Sequence, residues 1–511
     1  MNKMRTILAV LLASLMLFTA CGKAPAETTT AATSGTSDPA AQATDATSGT
    51  TTATEETVPA ETEPPAPEIA AIDGGQSEFR VLGRKSGSDE YYLPYAEFRA
   101  ETQTGDVMND AVYTRNLFLE EKYNIKIVAD EDTVGNVKKA VQTNILANDA
   151  TYDIYMPTTE HAFSLVMEGC FYENTDIPYV NVEKPWWMGE TMDNLSIKNK
   201  NYFLLGDIAF SNFIASSSIY FNQVLASENK VPDMYQLVRD GKWTYEQMHE
   251  ICISVTRELN GDGVMNGEDQ WGVQPSNFTW QPLYFGSGSS LVEKDNNDVP
   301  YLVWDSEKNM AIFDRLFGFL NDSNGSAVPS QQYFKDVKIG NNRENFLGGR
   351  SLFRIEQLYG LSQIRDAEFE YGILPAPKYD EEQEFYYSYV HPKQSQAICI
   401  PITNTRLELT GAILEDGAYQ SYENIRPAYY DVTLTGKLAR NEDTVEMLDI
   451  MLAHLNPDLS VALVGAGLKI DSTMRSICDQ DLGEFASLIK SSVEAQSKIL
   501  EGVVTKIDGL K

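Results

Sequence analysis

Two hydrophobic periods account for most of the ordered part of the chain. Phe79–Leu82, Ile125–Val128 and Ile154–Met156 are short apolar runs of strand length. Between them, Ala111–Tyr123 reads as a helix, and Val137, Ala140, Val141 and Ile145 mark one helical face. Strand and helix in alternation predict a parallel α/β sheet, in which ligands bind beyond the carboxyl ends of the strands. Thr158, Thr159 and Glu160 follow the third run directly, which makes them candidate contacts. Glu160 fits equally the plainer role of an acid at a helix N-terminus.

Further on, Ser218–Phe221 is a β-rich run that ends at Asn222. Trp243, Thr244, Gln247 and Met248 occupy the N′, N-cap, N3 and N4 positions of a capping box flanked by a hydrophobic staple, so a helix is expected to start at Thr244. Met248, Ile251, Cys252 and Val255 give it one buried face. An acidic, glycine-rich loop follows. With Glu258 as position 1, Asn260, Asp262, Val264, Asn266 and Asp269 fall at positions 3, 5, 7, 9 and 12, and Gly263 falls at the turn. That is the spacing of an EF-hand-like Ca²⁺ loop, with Glu258 for the usual first Asp and Asp269 for the usual last Glu. A structural Ca²⁺ and a solvated acidic turn both fit.

The succession YFN, GKWT, NGDG and QWGV between Tyr220 and Val273 resembles the bacterial extracellular solute-binding proteins of ABC importers, carbohydrate type. Asn277–Trp280, Phe346–Phe353, Tyr371–Pro375 and Arg426–Tyr430 extend the resemblance over roughly the whole chain after the linker. It implies an α/β, two-lobed periplasmic-binding-protein-like fold of type II, with hinge crossings and a ligand cleft between the lobes. Lobe 1 would comprise residues 78–215 plus 391–511 and lobe 2 residues 216–390. Ala397–Pro401 would cross back, and helices at Thr444–His454 and Gly483–Val503 would complete lobe 1.

Flat rings suit the C–H face of a pyranose while carboxylates and amides fix its hydroxyls. On that ground Trp186, Trp187, Glu356 and Tyr359 join Glu160 as candidate ligand contacts, and the resemblance adds Asn277 and Trp280 by placing their segment at the cleft. The two adjacent tryptophans also fit a role as anchors of a long loop. Glu356 and Tyr359, expected one turn apart at a helix start, also fit a surface acid and a core ring.

At the N-terminus, Lys3 and Arg5 precede an apolar run, Ile7–Phe18, too short to span a membrane, and then Thr19, Ala20 and Cys21. Residues 1–20 read as a signal peptide. Cys21 looks like the acylated cysteine of a lipoprotein, although Phe18 stands where Leu is usual. Residues 21–77 form a Thr-, Ala-, Ser- and Pro-rich linker, expected to be disordered and to reach on the order of 40 Å. The formal charge is −34, or −36 once Lys3 and Arg5 leave with a leader that has no acid. So acidic a surface argues against nucleic acid or anionic lipid as a partner.

Cys170, Cys252, Cys399 and Cys478 are widely spaced and read as free thiols. His161, His249, His391 and His454 are isolated, and no metalloprotease, nucleophile-elbow or P-loop motif is present. The expectation is a non-enzyme that requires no cofactor: a monomer, lipid-anchored on the outer face of the cytoplasmic membrane, that passes a sugar or oligosaccharide to permease subunits. The alternatives are a secreted carbohydrate-active enzyme and a ligand-binding surface sensor or adhesin.

Overall fold

Three parallel strands form the first sheet. The computed structural model describes residues 64–87, 93–263, 265–276, 278–320, 342–433, 442–478 and 485–510. β1 (Ser77–Arg84) is followed by α1 (Val107–Tyr123), β2 (Ile125–Asp132), α2 (Val134–Leu146), β3 (Ile154–Tyr155) and α3 (Thr159–Val166). The strand order is β2-β1-β3, all parallel, as the alternation predicts. Val137 and Val141 of α2 are fully buried, and Ala140 and Ile145 pack at the margin of the same core. α1 starts at Asp106, whose carboxylate accepts the Asn109 N–H at 2.9 Å, and ends at Asn124 in the left-handed conformation.

The chain leaves this layer through a short helical turn, α4 (Ser211–Ile214), and enters β4 (Ser217–Asn222), every residue of which is buried. α5 (Tyr245–Val255) begins where the capping pattern puts it, with the Thr244 hydroxyl accepting the Gln247 N–H at 3.3 Å. Its apolar face is buried against β5 (Trp271–Val273). The approach there is so close that a Cβ on Gly272 would stand 2.2 Å from that of Cys252, so only glycine fits. α6 (Trp280–Gly286), a hairpin of β6 (Val292–Lys294) and β7 (Pro300–Leu302), β8 (Ser351–Gln357) and β9 (Tyr371–Leu374) follow. The second sheet has the order β5-β8-β4-β9, with β4 antiparallel to both neighbours.

β10 (Ser388–Tyr389) leads into the return crossing, and Ala397–Pro401 then lies antiparallel beside β3 through the Tyr155 to Cys399 bridge. The long helix α7 (Leu407–Thr433) packs on α1. Beyond it the structure departs from the expected division. α8 (Glu442–Ala453), expected in lobe 1, packs on β9 of the second sheet, and its Asp443 and Glu446 pair with Arg239. β11 (Leu455–Asn456) pairs with β10, α9 (Ile470–Cys478) packs on α6, and α10 (Phe485–Asp508) packs on β7. Periodicity identifies the buried face of a helix but not the layer that receives it. The four cysteines are free, three of them buried.

Candidate functional site

The return crossing, His391–Gln396, is tied to both layers by hydrogen bonds. His391 N donates to Ala215 O at 3.0 Å, and Gln396 N donates to the Ser211 hydroxyl at 3.1 Å. On the first sheet, Arg84 at the end of β1 donates to Lys393 O at 3.2 Å and to Gln394 O at 2.8 Å. The first amides of α3 have no partners within their own helix. They find them in the crossing, with Thr159 N on Ser395 O and Glu160 N on Pro392 O, both at 3.1 Å. The Glu160 carboxylate, at the carboxyl end of β3 as the strand rule predicts, is thereby fixed 3.7 Å from Lys393 Nζ.

Residues from the second layer complete the cluster. Gln281 of α6 donates to Asp471 of α9 at 2.8 Å, and Asp471 pairs with Arg475 at 3.1 Å. The Arg475 guanidinium sits 4.9 Å from the centroid of Phe278, a ring that remains 38% exposed. The Phe278 ring lies 6.4 Å from that of His391. Burial raises the pKa of both Glu160 and Asp471, against the pull of Lys393 and Arg475. Acids, cations, an amide and an aromatic face thus converge from two layers and the crossing between them.

Of the residues proposed from sequence, Glu160 is part of this cluster. Glu356 and Tyr359 stand beside the neighbouring crossing residue: Tyr359 Oη donates to Glu356 at 2.9 Å and is hydrogen-bonded to Gln394. The segment is strand then helix, as read from the sequence, but the change comes between the two residues: Glu356 is on β8, which runs to Gln357, and Tyr359 is in the 3₁₀ helix that starts at Leu358. Tyr359 borders a cavity of about 30 Å³ with Tyr95, Tyr371 and Tyr429. That volume holds a water but no pyranose, so a sugar enters this region only if the layers part. A larger open groove of about 680 Å³ lies between α2, α3 and α10, but its described lining has no aromatic residue.

The tryptophans lie elsewhere. Trp186 and Trp187 are buried in the first layer and both donate to Glu415, at 3.0 and 2.7 Å, which is the loop-anchoring arrangement. Trp280 is fully buried among Tyr284 and Phe285 and offers no open face. Cys21, Val264 and Asn277 lie outside the described residues. Lys393, Asp471, Arg475 and Gln281 were not legible as site residues, because each becomes significant only through a partner far away in sequence.

In the acidic loop the carboxylates turn onto the backbone. Glu258 accepts the N–H groups of Gly261 and Asp262, Asn260 accepts that of Asp262, and Asp269 accepts those of Leu259 and Asn266 at 2.9 and 2.8 Å. Among the described residues, no group of three or more His, Cys, Asp or Glu side chains is arranged to hold a metal ion. Asp269 has no exposed surface, so Asp269→Ala strands two donors and is expected to cost about 1–3 kcal/mol, read as a lower urea midpoint. The same titration with calcium and with chelator measures any contribution from an ion.

No family model matches the chain, and no curated protein matches it. Solved structures do. A sugar transporter from Rhizobium etli in an open conformation aligns with a TM-score of 0.57 at 12% identity, covering 82% of this chain and 99% of that one. The chain has the two-lobed periplasmic-binding-protein-like fold. The same fold is found in a cyclic α-maltosyl-1,6-maltose binding protein from Arthrobacter globiformis, with a TM-score of 0.54 at 12% identity over 83% and 99% of the two chains. UgpB from Mycobacterium tuberculosis, solved with glycerophosphocholine, gives 0.51 at 14% over 77% and 95%. The cluster on His391–Gln396 lies where the first sheet, the layer of α6 and α9 and the return crossing meet.

Proposed function

We propose that this chain is an extracytoplasmic solute-binding protein, lipid-anchored through Cys21, that captures a sugar or oligosaccharide between its lobes and delivers it to an ABC-type permease. The observation that carries the reading is the convergence of Glu160 from lobe 1, Lys393 from the crossing, and Phe278, Gln281, Asp471 and Arg475 from the other side. Such a site is complete only when the lobes are together, so the ligand stabilises the closed arrangement by binding both halves at once. The names of proteins with this fold, a sugar transporter and a cyclic α-maltosyl-1,6-maltose binding protein among them, support a carbohydrate.

A thermal-shift screen of the full chain against mono- and oligosaccharides, peptides and polyamines tests this. A sugar at a hundred times its Kd is expected to add about 2.7 kcal/mol to stability. A response to peptides or polyamines with silence across sugars would remove the carbohydrate reading. A second reading, a glycosidase, draws on one observation: Glu160 and Asp471 are two carboxylates with raised pKa in one site. Each is paired with a cation, Glu160 with Lys393 and Asp471 with Arg475, an arrangement that suits holding a ligand's hydroxyls. Release of reducing ends from any sugar that gives a shift would reverse that ranking.

A further inference from the structure

We propose that the groove between α2 and α10 is a docking site for an amphipathic helix of a partner protein, a helix with an apolar stripe and a carboxylate at each end of it. The groove, of about 680 Å³, is separate from the cluster on His391–Gln396, none of whose residues lines it. The proposal therefore does not depend on what that cluster binds.

Two helices give the walls a helical period. Ile499, Gly502, Val503 and Lys506 of α10 line the groove at i, i+3, i+4 and i+7, and Lys138, Gln142 and Ile145 of α2 line it at i, i+4 and i+7. Each wall is a stripe about 10 Å long. Both stripes run in the direction of α3. A Cβ on Gly467 would stand 3.8 Å from Ile499, and Gly465, two residues earlier, abuts the Glu160 carbonyl at the start of α3. At the other end, a Cβ on Gly169, just past α3, would stand 3.6 Å from Leu510. On α2, Lys138 acts electrostatically on Glu160 and His161, whereas Gln142 donates to Glu168 at 2.9 Å. A third helix laid between two such stripes meets them with anchors at the same spacing.

The groove leaves apolar surface open. Leu146 on its rim is 88% exposed, and Met167, Ala466 and Ile499 are only partly covered. Gly502 stands inside α10, where glycine is a poor helix former, and a Cβ there would meet nothing within 4 Å. No close approach within the chain requires a glycine at that position, and its effect is to keep the groove open. Contiguous exposed apolar surface of this kind marks an interaction site. Charge selects the partner. In a chain of net charge −34, the lining has two cations, Lys138 and Lys506, against one acid, Glu168, which Gln142 already engages. Lys138 stands toward the start of α3 and Lys506 toward its end. A lipid with a single charged head does not match two separated cations, whereas a helix with a carboxylate at each end does. At physiological ionic strength the opposing field of the whole chain is screened beyond about 8 Å, so these local charges decide the contact.

The test is fluorescence anisotropy on the full chain with a labelled, acetylated and amidated helical peptide of about eighteen residues. Its leucines recur at i, i+4, i+7 and i+11 on an alanine and glutamine background, with one glutamate beyond each end of the leucine stripe. The expected result is saturable binding that Gly502→Trp abolishes by filling the groove. Leu146→Ala should weaken binding by about tenfold. Lys506→Glu should weaken it by about fivefold, with affinity restored when the glutamate at one end of the peptide is replaced by lysine. The melting temperature of each variant separates loss of contact from loss of fold. Undiminished binding by Gly502→Trp would overturn the assignment of the groove, and no saturation up to millimolar peptide would overturn the proposal. Saturable binding of dodecanoate without binding of the peptide would overturn it in favour of a lipid. A dimer in sedimentation that Gly502→Trp dissolves would overturn it in favour of a second copy of this chain.

Discussion

Replacing Glu97 with alanine is expected to destabilise the protein by about 3–5 kcal/mol, the cost of removing one partner from a buried charged network. Glu97 is 6% exposed and lies in the loop between β1 and α1. Its carboxylate accepts Phe210 N at 2.6 Å, Ser211 N at 2.8 Å and Gln396 Nε2 at 3.1 Å. Those donors belong to the outgoing and the return crossing, so one side chain ties both to lobe 1. Its backbone carbonyl accepts the fully buried Arg115 guanidinium at 2.6 Å. Burial raises the pKa of Glu97, partly offset by its hydrogen bonds and by Arg84.

Alanine would strand two backbone donors and an amide and take a negative charge away from Arg84 and Arg115. Glu78→Ala is the comparison. That residue pairs with Arg80 at 2.9 Å but is 57% exposed, and its loss should stay within about 1 kcal/mol. Urea unfolding of the two variants decides the matter. Equal midpoints would mean that the crossings are held by packing and not by this carboxylate.

Much of the architecture could be read from patterns whose physics is local. The alternation of Ile125–Val128 with the face of Val137 and Val141 gives a parallel sheet because each element needs only its own period to declare itself. Thr244 gives a helix start because its cap partner, Gln247, is three residues away. The place of Glu160, just past the carboxyl end of β3, was legible because the strand and the helix on either side of it each declare their own period. The failures share one cause, dependence on distant partners. Trp186 and Trp187 look like sugar platforms until Glu415 supplies an acceptor for both indole N–H groups. Asp471 and Arg475 sit on a short helix with no motif and matter because Gln281 and Phe278, some 190 residues earlier, come to meet them. α8 has a clear apolar face in the sequence, yet only Arg239 and β9 show which lobe it joins. Glu97 left no signal: a lone acid in a loop becomes central when two crossings bring their N–H groups to it.

Acidification provides the second large effect, through His391. The imidazole is 6% exposed, beside the rings of Tyr389 and Phe278, and its Nδ1 accepts the N–H of Lys393 at 3.2 Å. Burial above all, and then the charges of Lys393 and Arg475, push its pKa down to about 3. Unfolded, the same group titrates near 6.5. Because the folded value is the lower one, the contribution is fully present above about pH 6.5. It is lost progressively as the pH falls toward 3, since the unfolded chain takes up a proton that the native state refuses. At pH 5 the loss from this residue alone should be roughly 2 kcal/mol.

Asp207 acts in the opposite direction. It is buried against Arg426, and its pKa is raised to about 6, so protonation favours the native state between about pH 6 and the ordinary carboxylate range. The wild-type profile therefore mixes two opposed slopes, and the informative quantity is a difference. His391→Gln keeps an acceptor for Lys393 N but does not titrate. Subtracting its stability from that of the wild type, from pH 7 to pH 5, should leave a curve that falls by about 2 kcal/mol. A flat difference would mean that His391 is protonated in the native protein, with its ring open to water between the lobes and not enclosed by them.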